Sequence, residues 1–417
     1  MSTFTIKDHN HNLKYNLAHE FFWGFGTSFH TIYAFVPLFL KELNAPDYIT
    51  ASCAGIFVIA IALPTLFSAA IGRNIIHIKK AAILLHCLIL LVAFMMGFTF
   101  SIIDPTLVNS AWKIYLCYFI LYSLSIGIVV PFWTDFIHQS TLNTHRGKFF
   151  GLGFAFNSIG GFIGGIALKY LFMLDITFPK NFGIGFFILF FSLSIGTILF
   201  LPFKIKSNKK NFHKENLKSF FLKTKNIIEK HTNFQKYIIS RIFFSASFPG
   251  MGLYVVYCQK KIAFDISEIG LFTIITIISS AISSYISGLV GDYYDNKKSM
   301  VLAYLGYLSA PLITLFVSNI FDVYLVFIAI GIGQGAFMPA AMNMIYDFAG
   351  NRDTKTYMAL VDSLLAPFVI FYILVIGLLI NVQQYTIALI IVIFSLMISI
   401  IVITLCVVNP KNDRFST

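Results

Sequence analysis

Ser287-Gly288-Leu289-Val290-Gly291-Asp292-Tyr293-Tyr294-Asp295-Asn296-Lys297-Lys298 sits directly between two long apolar stretches. It combines residues that tolerate turn conformations with an acid near its start and two lysines at its end. A tight polar turn wedged between two apolar helices belongs at a membrane face. Its lysines place that face on the cytoplasmic side, where Lys and Arg accumulate.

The whole chain has the same character. Of its 417 residues, 58% are hydrophobic and 47 are phenylalanine, and 12% are charged, against roughly a quarter charged in soluble domains. Runs of about 20 residues with almost no charge recur, each long enough to cross a hydrocarbon core of about 30 Å as a helix. Only helices or closed barrels satisfy every backbone group in lipid, and these runs lack the alternation of a barrel. The expected fold is an all-α polytopic membrane protein. Its twelve spans fall near 17–40, 49–71, 81–103, 113–133, 149–174, 183–202, 237–257, 267–291, 300–319, 324–346, 357–380 and 385–408.

A net charge of +12 could suggest nucleic acid, but its distribution excludes that. With the N-terminus inside, 24 of the 30 basic residues fall on cytoplasmic segments and 6 at the outer side. Both termini are therefore expected in the cytoplasm and the spans in the plasma membrane. Met1–Asn16 is polar with no apolar core, so span 1 is expected to serve as the insertion signal in place of a cleaved leader. The five cysteines are scattered without metal spacing, and no GxxxxGK[ST] stretch exists. Neither a metal nor another cofactor is expected.

The two halves echo each other. Phe21-Phe22 parallels Phe243-Phe244, Gly55-Ile56-Phe57 parallels Gly270-Leu271-Phe272, and Gly72-Arg73 with Lys79-Lys80 parallels Gly291-Asp292 with Lys297-Lys298. The expected domains are an N-terminal six-helix half (1–203), a basic cytoplasmic loop (204–236) and a C-terminal six-helix half (237–417). Within the loop, Leu217, Phe220, Phe221, Thr224, Ile227 and Ile228 recur at helical spacing among lysines, which predicts an amphipathic helix on the membrane surface. In span 5, Gly160/Gly164 and Gly161/Gly165 form two GxxxG pairs that let neighbouring backbones approach. Pro131 and Pro339 lie in the lower halves of spans 4 and 10 and loosen those helices.

The opening stretch resembles the loop motif between helices 2–3 and 8–9 of the major facilitator superfamily, roughly Gly-x-x-x-Asp-Arg-x-Gly-Arg-Arg. Gly288 and Asp292 fall on its Gly and Asp, whereas Arg73 stands where the first-half Asp is expected. The resemblance implies two pseudo-symmetric six-helix halves around a cavity lined by helices 1, 4, 7 and 10. It also implies a gate at Gly288, Asp292, Lys297 and Lys298. Glu20, Asp135, Arg241 and Asp347, near cytoplasmic span ends, join that gate as potential ion pairs between the halves.

Polar groups at mid-depth are mostly neutral: Thr27, His30 and Tyr33 in span 1, Tyr122 in span 4, and Asn157 in span 5. The second half adds Ser247 and Tyr254 in span 7 and Gln334 in span 10. Such a lining suits a neutral or weakly charged organic solute. His30 and Asp362 are the candidate carriers of a proton or other coupling ion. These features predict a monomeric secondary transporter or facilitator for a small molecule, working by alternating access. A transporter-like sensor is the alternative. A membrane enzyme on a lipid-borne substrate would want paired acids or a His/Asp cluster, which the spacing does not supply.

Overall fold

The computed structural model describes residues 4–410 apart from 73–74, 76, 104–109, 143–144, 206–216, 266–267 and 351–353. Arg73 and Arg352 thus lie outside the described residues, as does the side chain of Asp292. Among the described residues there is no strand. The N-terminal half runs through α1 (Ile6–Thr27), α2 (Phe35–Glu42), α3 (Asp47–Gly72), α4 (Ile78–Ile102), α5 (Trp112–Gln139), α6 (Arg146–Met173) and α7 (Lys180–Ile198). Helix α8 (Leu217–Lys230) precedes the C-terminal half: α9 (Thr232–Phe244), α10 (Ser247–Lys261), α11 (Glu268–Tyr293), α12 (Asn296–Leu315), α13 (Ile320–Ala349), α14 (Thr354–Asn381) and α15 (Tyr385–Ile401). Eleven helical segments among the described residues are long and apolar enough to cross a membrane, α9 and α10 counting as one. The composite α1–α2 completes the twelve.

The first span differs from a single helix over 17–40. It begins at Ile6, where Thr5 and Asp8 form a capping box, and it breaks at a 3-10 turn, Ser28–His30, before α2. Its polar start is packed: His9, Asn12 and Asn16, spaced three and four residues apart, are all buried. The first span of the second half is also broken. Pro249 has no N–H to offer the Ser245 carbonyl one turn back, and α9 ends at Phe244 while α10 starts at Ser247.

A matching pair of clamps closes each half. Asn12 Nδ2 donates to the Lys204 carbonyl at 2.7 Å and Asn12 Oδ1 accepts from Lys204 N at 2.8 Å. Asn233 does the same to Val408, at 2.9 Å and 2.8 Å. In both halves, an asparagine near the start of the first helix satisfies the backbone just beyond the sixth, where helical carbonyls run out of partners. Beside the first clamp, Lys204 Nζ lies 2.8 Å from Asp8 Oδ1. The Lys204 ammonium, and then the Thr5 N–H and hydroxyl, hold the Asp8 carboxyl well below the usual carboxylate range. This contact is intact at neutral pH and is lost only as pH falls far below that range.

We call the face bearing these clamps the terminal face and the opposite one the far face. The halves meet through α3 against α10 and α14, and through α6 against α11. Close approaches across this seam lie from mid-depth to the far face: Gly252 on Ala51, Gly55 on Ile373, Gly165 on Ile274 and Gly270 on Lys169. Nearer the terminal face, Phe154 of α6 and Ile282 of α11 are exposed. The two glycine pairs of α6 divide this packing, with Gly160 and Gly164 against α1 and Gly161 and Gly165 against α11 of the other half.

Candidate functional site

In the N-terminal half, α1, α4, α5 and α6 enclose a cavity of about 360 Å³. Glu20, 6% exposed, is the acid in its wall. Asn157 Nδ2 donates to Glu20 Oε2 at 3.0 Å. Gly153 lets α6 approach closely enough for this, since a Cβ there would meet Asn16 Nδ2 at 2.9 Å and Glu20 Cγ at 3.3 Å. His19 and His86 lie in the same wall. Each points a ring Nδ1 at a backbone carbonyl, His19 at Gly196 (2.9 Å) and His86 at Ala82 (2.7 Å). Because a carbonyl only accepts, both Nδ1 atoms carry the proton, and a neutral ring then keeps Nε2 as an acceptor. Trp23 packs against both rings, tilted at 5.6 Å from His19 and edge-on at 5.7 Å from His86 by centroid, and Trp133 also lines the cavity.

In the C-terminal half, Arg241 is 5% exposed. It donates from Nη1 to Tyr237 Oη at 3.1 Å and lies over the Phe337 ring at 4.6 Å, while its Nε has no hydrogen-bond partner among the described residues. A guanidinium held over an aromatic face gains cation–π attraction. Asp362 of α14 is exposed and near enough to bear on the Arg241 charge. Glu20 and Arg241 belong to separate walls and form no ion pair in this conformation. Asp347 instead accepts from Asn296 Nδ2 at 2.6 Å, and Asp135 is half-buried near the end of α5.

At the far face, Asp47 of α3 bridges the seam. It pairs with Lys41 of its own half, and it reaches Lys260 Nζ at 3.2 Å and accepts from Tyr385 Oη at 2.5 Å in the other half. Lys260 Nζ also lies 4.5 Å over the Tyr385 ring. Exposed ion pairs contribute up to about 1 kcal/mol each, but this carboxylate is shared by three partners and crosses the line along which the halves separate. Asp47→Asn should leave the fold intact and shift the population toward an open far face by about fivefold, on the order of 1 kcal/mol. Longer distances between labels on the two halves at the far face would register it; an unchanged distribution would make the cluster ornamental.

The other sequence-selected residues distribute as follows. His30 is buried among the rings of Phe35, Phe119, Tyr122 and Phe186, and its Nε2 is 3.0 Å from Tyr115 Oη. It lies in the aromatic core of the N-terminal half and outside the wall of the Glu20 cavity, as does the buried Tyr33. Thr27 lines that cavity and turns its hydroxyl back to the Trp23 carbonyl at 2.9 Å. Ser247 Oγ and Tyr254 Oη are buried without a hydrogen-bond partner among the described residues, and Gln334 Nε2 meets Met251 Sδ at 3.3 Å. In the loop between α11 and α12, Asp295 caps α12 by accepting from Lys298 N at 2.7 Å. Lys297 Nζ donates to the Thr404 carbonyl at 2.8 Å, Lys298 Nζ lies 4.8 Å over Tyr294, and Gly288 faces open space. His19, His86, Trp23, Trp133 and Asp47 were not selected from the sequence.

Twelve spans in two clamped halves, in close contact across a seam from mid-depth to the far face and with a polar cavity in the N-terminal half, suit a membrane transporter fold. The model of the Major Facilitator Superfamily matches residues 184–416, and the chain belongs to that superfamily. It is thus of a transporter family and not an enzyme. A POT family transporter solved in complex with 5-aminolevulinic acid superposes with a TM-score of 0.71 at 13% identity, covering 96% of this chain and 96% of that one. The nucleoside transporter NupG superposes at 0.66 with 12% identity, covering 94% of this chain and 98% of its own. A mutant of NupG gives 0.68 at 10% identity, with 94% and 99% covered. No curated protein matches the sequence.

Proposed function

We propose that this chain is a secondary transporter or facilitator of the plasma membrane that moves a small, neutral or weakly charged organic solute by alternating access. The observation that carries the reading is the uneven seam, whose close approaches lie from mid-depth to the far face, together with the Glu20 cavity in the N-terminal half. The 24 to 6 distribution of basic residues supports a cytoplasmic terminal face, so that the conformation is the inward-open one. Six-helix halves of this kind rock about a central site. Glu20 and Arg241, unpaired with each other here, are placed to approach when the terminal face closes. Asp362, exposed beside Arg241, is the better placed of the two coupling candidates, because His30 is enclosed by rings.

Proteoliposomes pulsed with single solutes (a sugar, a nucleoside, a dipeptide, an amine) test this by stopped-flow swelling. Saturable entry of at least one class is expected. Absence of entry for every class, with a soluble partner captured by the 204–236 segment, would favour a sensor.

A further inference from the structure

We infer that the Glu20 cavity is built for a protonated amine, taken with its nitrogen at Glu20 and its carbon body against the tryptophans. This rests on the transporter reading and narrows its substrate class. Three independent features of the wall converge on it. The first is charge: Glu20 contributes a carboxylate, and no Lys or Arg lines the cavity among the described residues. One carboxylate oxygen is engaged by Asn157, and among the described residues no ion pair uses the other.

The second is hydrogen-bond polarity. His19 and His86 have committed their donors to backbone carbonyls, and the Thr27 hydroxyl has committed its proton to the Trp23 carbonyl. The acceptors left on these wall residues are the second Glu20 oxygen and the Nε2 lone pairs of the neutral His19 and His86 rings. Among the described residues the donors in the wall are the Asn157 amide, turned to Glu20, and the neutral indole N–H groups of Trp23 and Trp133, and no cationic side chain is there to balance an anionic ligand. An ammonium group, with donors and no acceptor, matches those acceptors. The third is the aromatic wall. Trp23 and Trp133 line the cavity together with the acid, and aromatic rings beside a carboxylate favour cations over neutral isosteres. A volume of about 360 Å³ is near the small end for ligand sites and limits the guest to a compact amine.

The probes are phenethylamine, 2-phenylethanol and 3-phenylpropanoate, which share a body and differ in the head group. Two of the three tryptophans line the cavity, and Trp112 opens α5 at the far face, so intrinsic fluorescence of the purified full-length protein reads occupancy. The expected result is saturable quenching by phenethylamine, at least tenfold weaker quenching by the alcohol, and none by the carboxylate. Glu20→Gln preserves shape and the oxygen that accepts from Asn157, and it should weaken amine binding on the order of tenfold or more. Glu20→Asp, which retains charge, should recover part of it. An unchanged melting temperature with the alcohol's weak binding retained would show that Glu20→Gln is folded.

Equal binding of amine and alcohol, preference for the carboxylate, no amine binding by the parent protein, or amine binding unchanged in Glu20→Gln would each overturn the proposal. Binding is read without flux, so the two readings fail separately. Amine binding without entry into vesicles would refute transport and leave the site. Entry of other solutes that amines neither bind alongside nor compete with would refute the amine and leave transport.

Discussion

Gly252→Val should abolish transport while leaving the protein folded and in the membrane. A Cβ at Gly252 would lie 2.4 Å from the Ala51 carbonyl oxygen and 2.7 Å from the Ala51 Cα, which are backbone atoms that cannot rotate away. The contact lies between α10 and α3, on opposite sides of the seam at the far face. Each half can therefore keep its own packing, and what is lost is the ability of the far face to close. Substrate flux should fall to background, with surface expression near that of the parent and a melting temperature lowered by a few degrees at most. Loss of expression parallel to loss of flux would contradict this division.

Gly160→Val should do the opposite, costing several kcal/mol of stability through overpacking within one half. Its Cβ would lie 2.0 Å from the Phe21 carbonyl oxygen and 3.0 Å from Phe25 N, in the tight crossing of α6 and α1. Because α1 and α6 belong to one half, no conformational change relieves the clash. Yield and melting temperature should both collapse, measured by fluorescence-detected size exclusion. A well-expressed, inactive Gly160→Val protein would mean that α1 and α6 separate during the cycle. The pair of substitutions thus distinguishes glycines that build a half from glycines that let halves meet.

Much of this architecture is legible in residue pattern. Apolar runs and the polar turn at Ser287–Lys298 give the spans, and the echoes between halves give the six-and-six division, because burial in lipid is written in local composition. The break in the first span and its packed start are harder to read. Asn12 looks like part of a solvated tail until the Lys204 backbone is seen against it, and that partner is 192 residues away. Asp47 has the same difficulty, since its role depends on Lys260 and Tyr385 across the seam.

The site was partly legible. Glu20, Asn157 and Thr27 were selected, but as gate or lining residues with no sign that they share one wall. His86 is a lone histidine in an apolar run, and His19 stands beside Glu20 near the start of span 1. Which face they occupy, and which ring nitrogen is left free, depends on the Gly196 and Ala82 carbonyls. The gate of ion pairs expected among Glu20, Asp135, Arg241 and Asp347 concerns a closed terminal face, and in this conformation Glu20 instead accepts from Asn157, Arg241 donates to Tyr237 and Asp347 accepts from Asn296. A sequence encodes every state of such a protein at once; a single conformation displays the contacts of one.

The central claim is that the two halves open alternately at opposite faces, and paired distance measurements test it most directly. Spin labels at Asp175 and Asn381 report the far face, and labels at Lys80 and Tyr294 the terminal face; all four positions are exposed. Pulsed electron–electron measurements in lipid nanodiscs should show two populations for each pair, moving in opposite directions. Asp47→Asn should raise the long far-face population and the short terminal-face population together. Single, unmoving distances at both faces, unaffected by Asp47→Asn or Gly252→Val, would contradict alternating access in this protein.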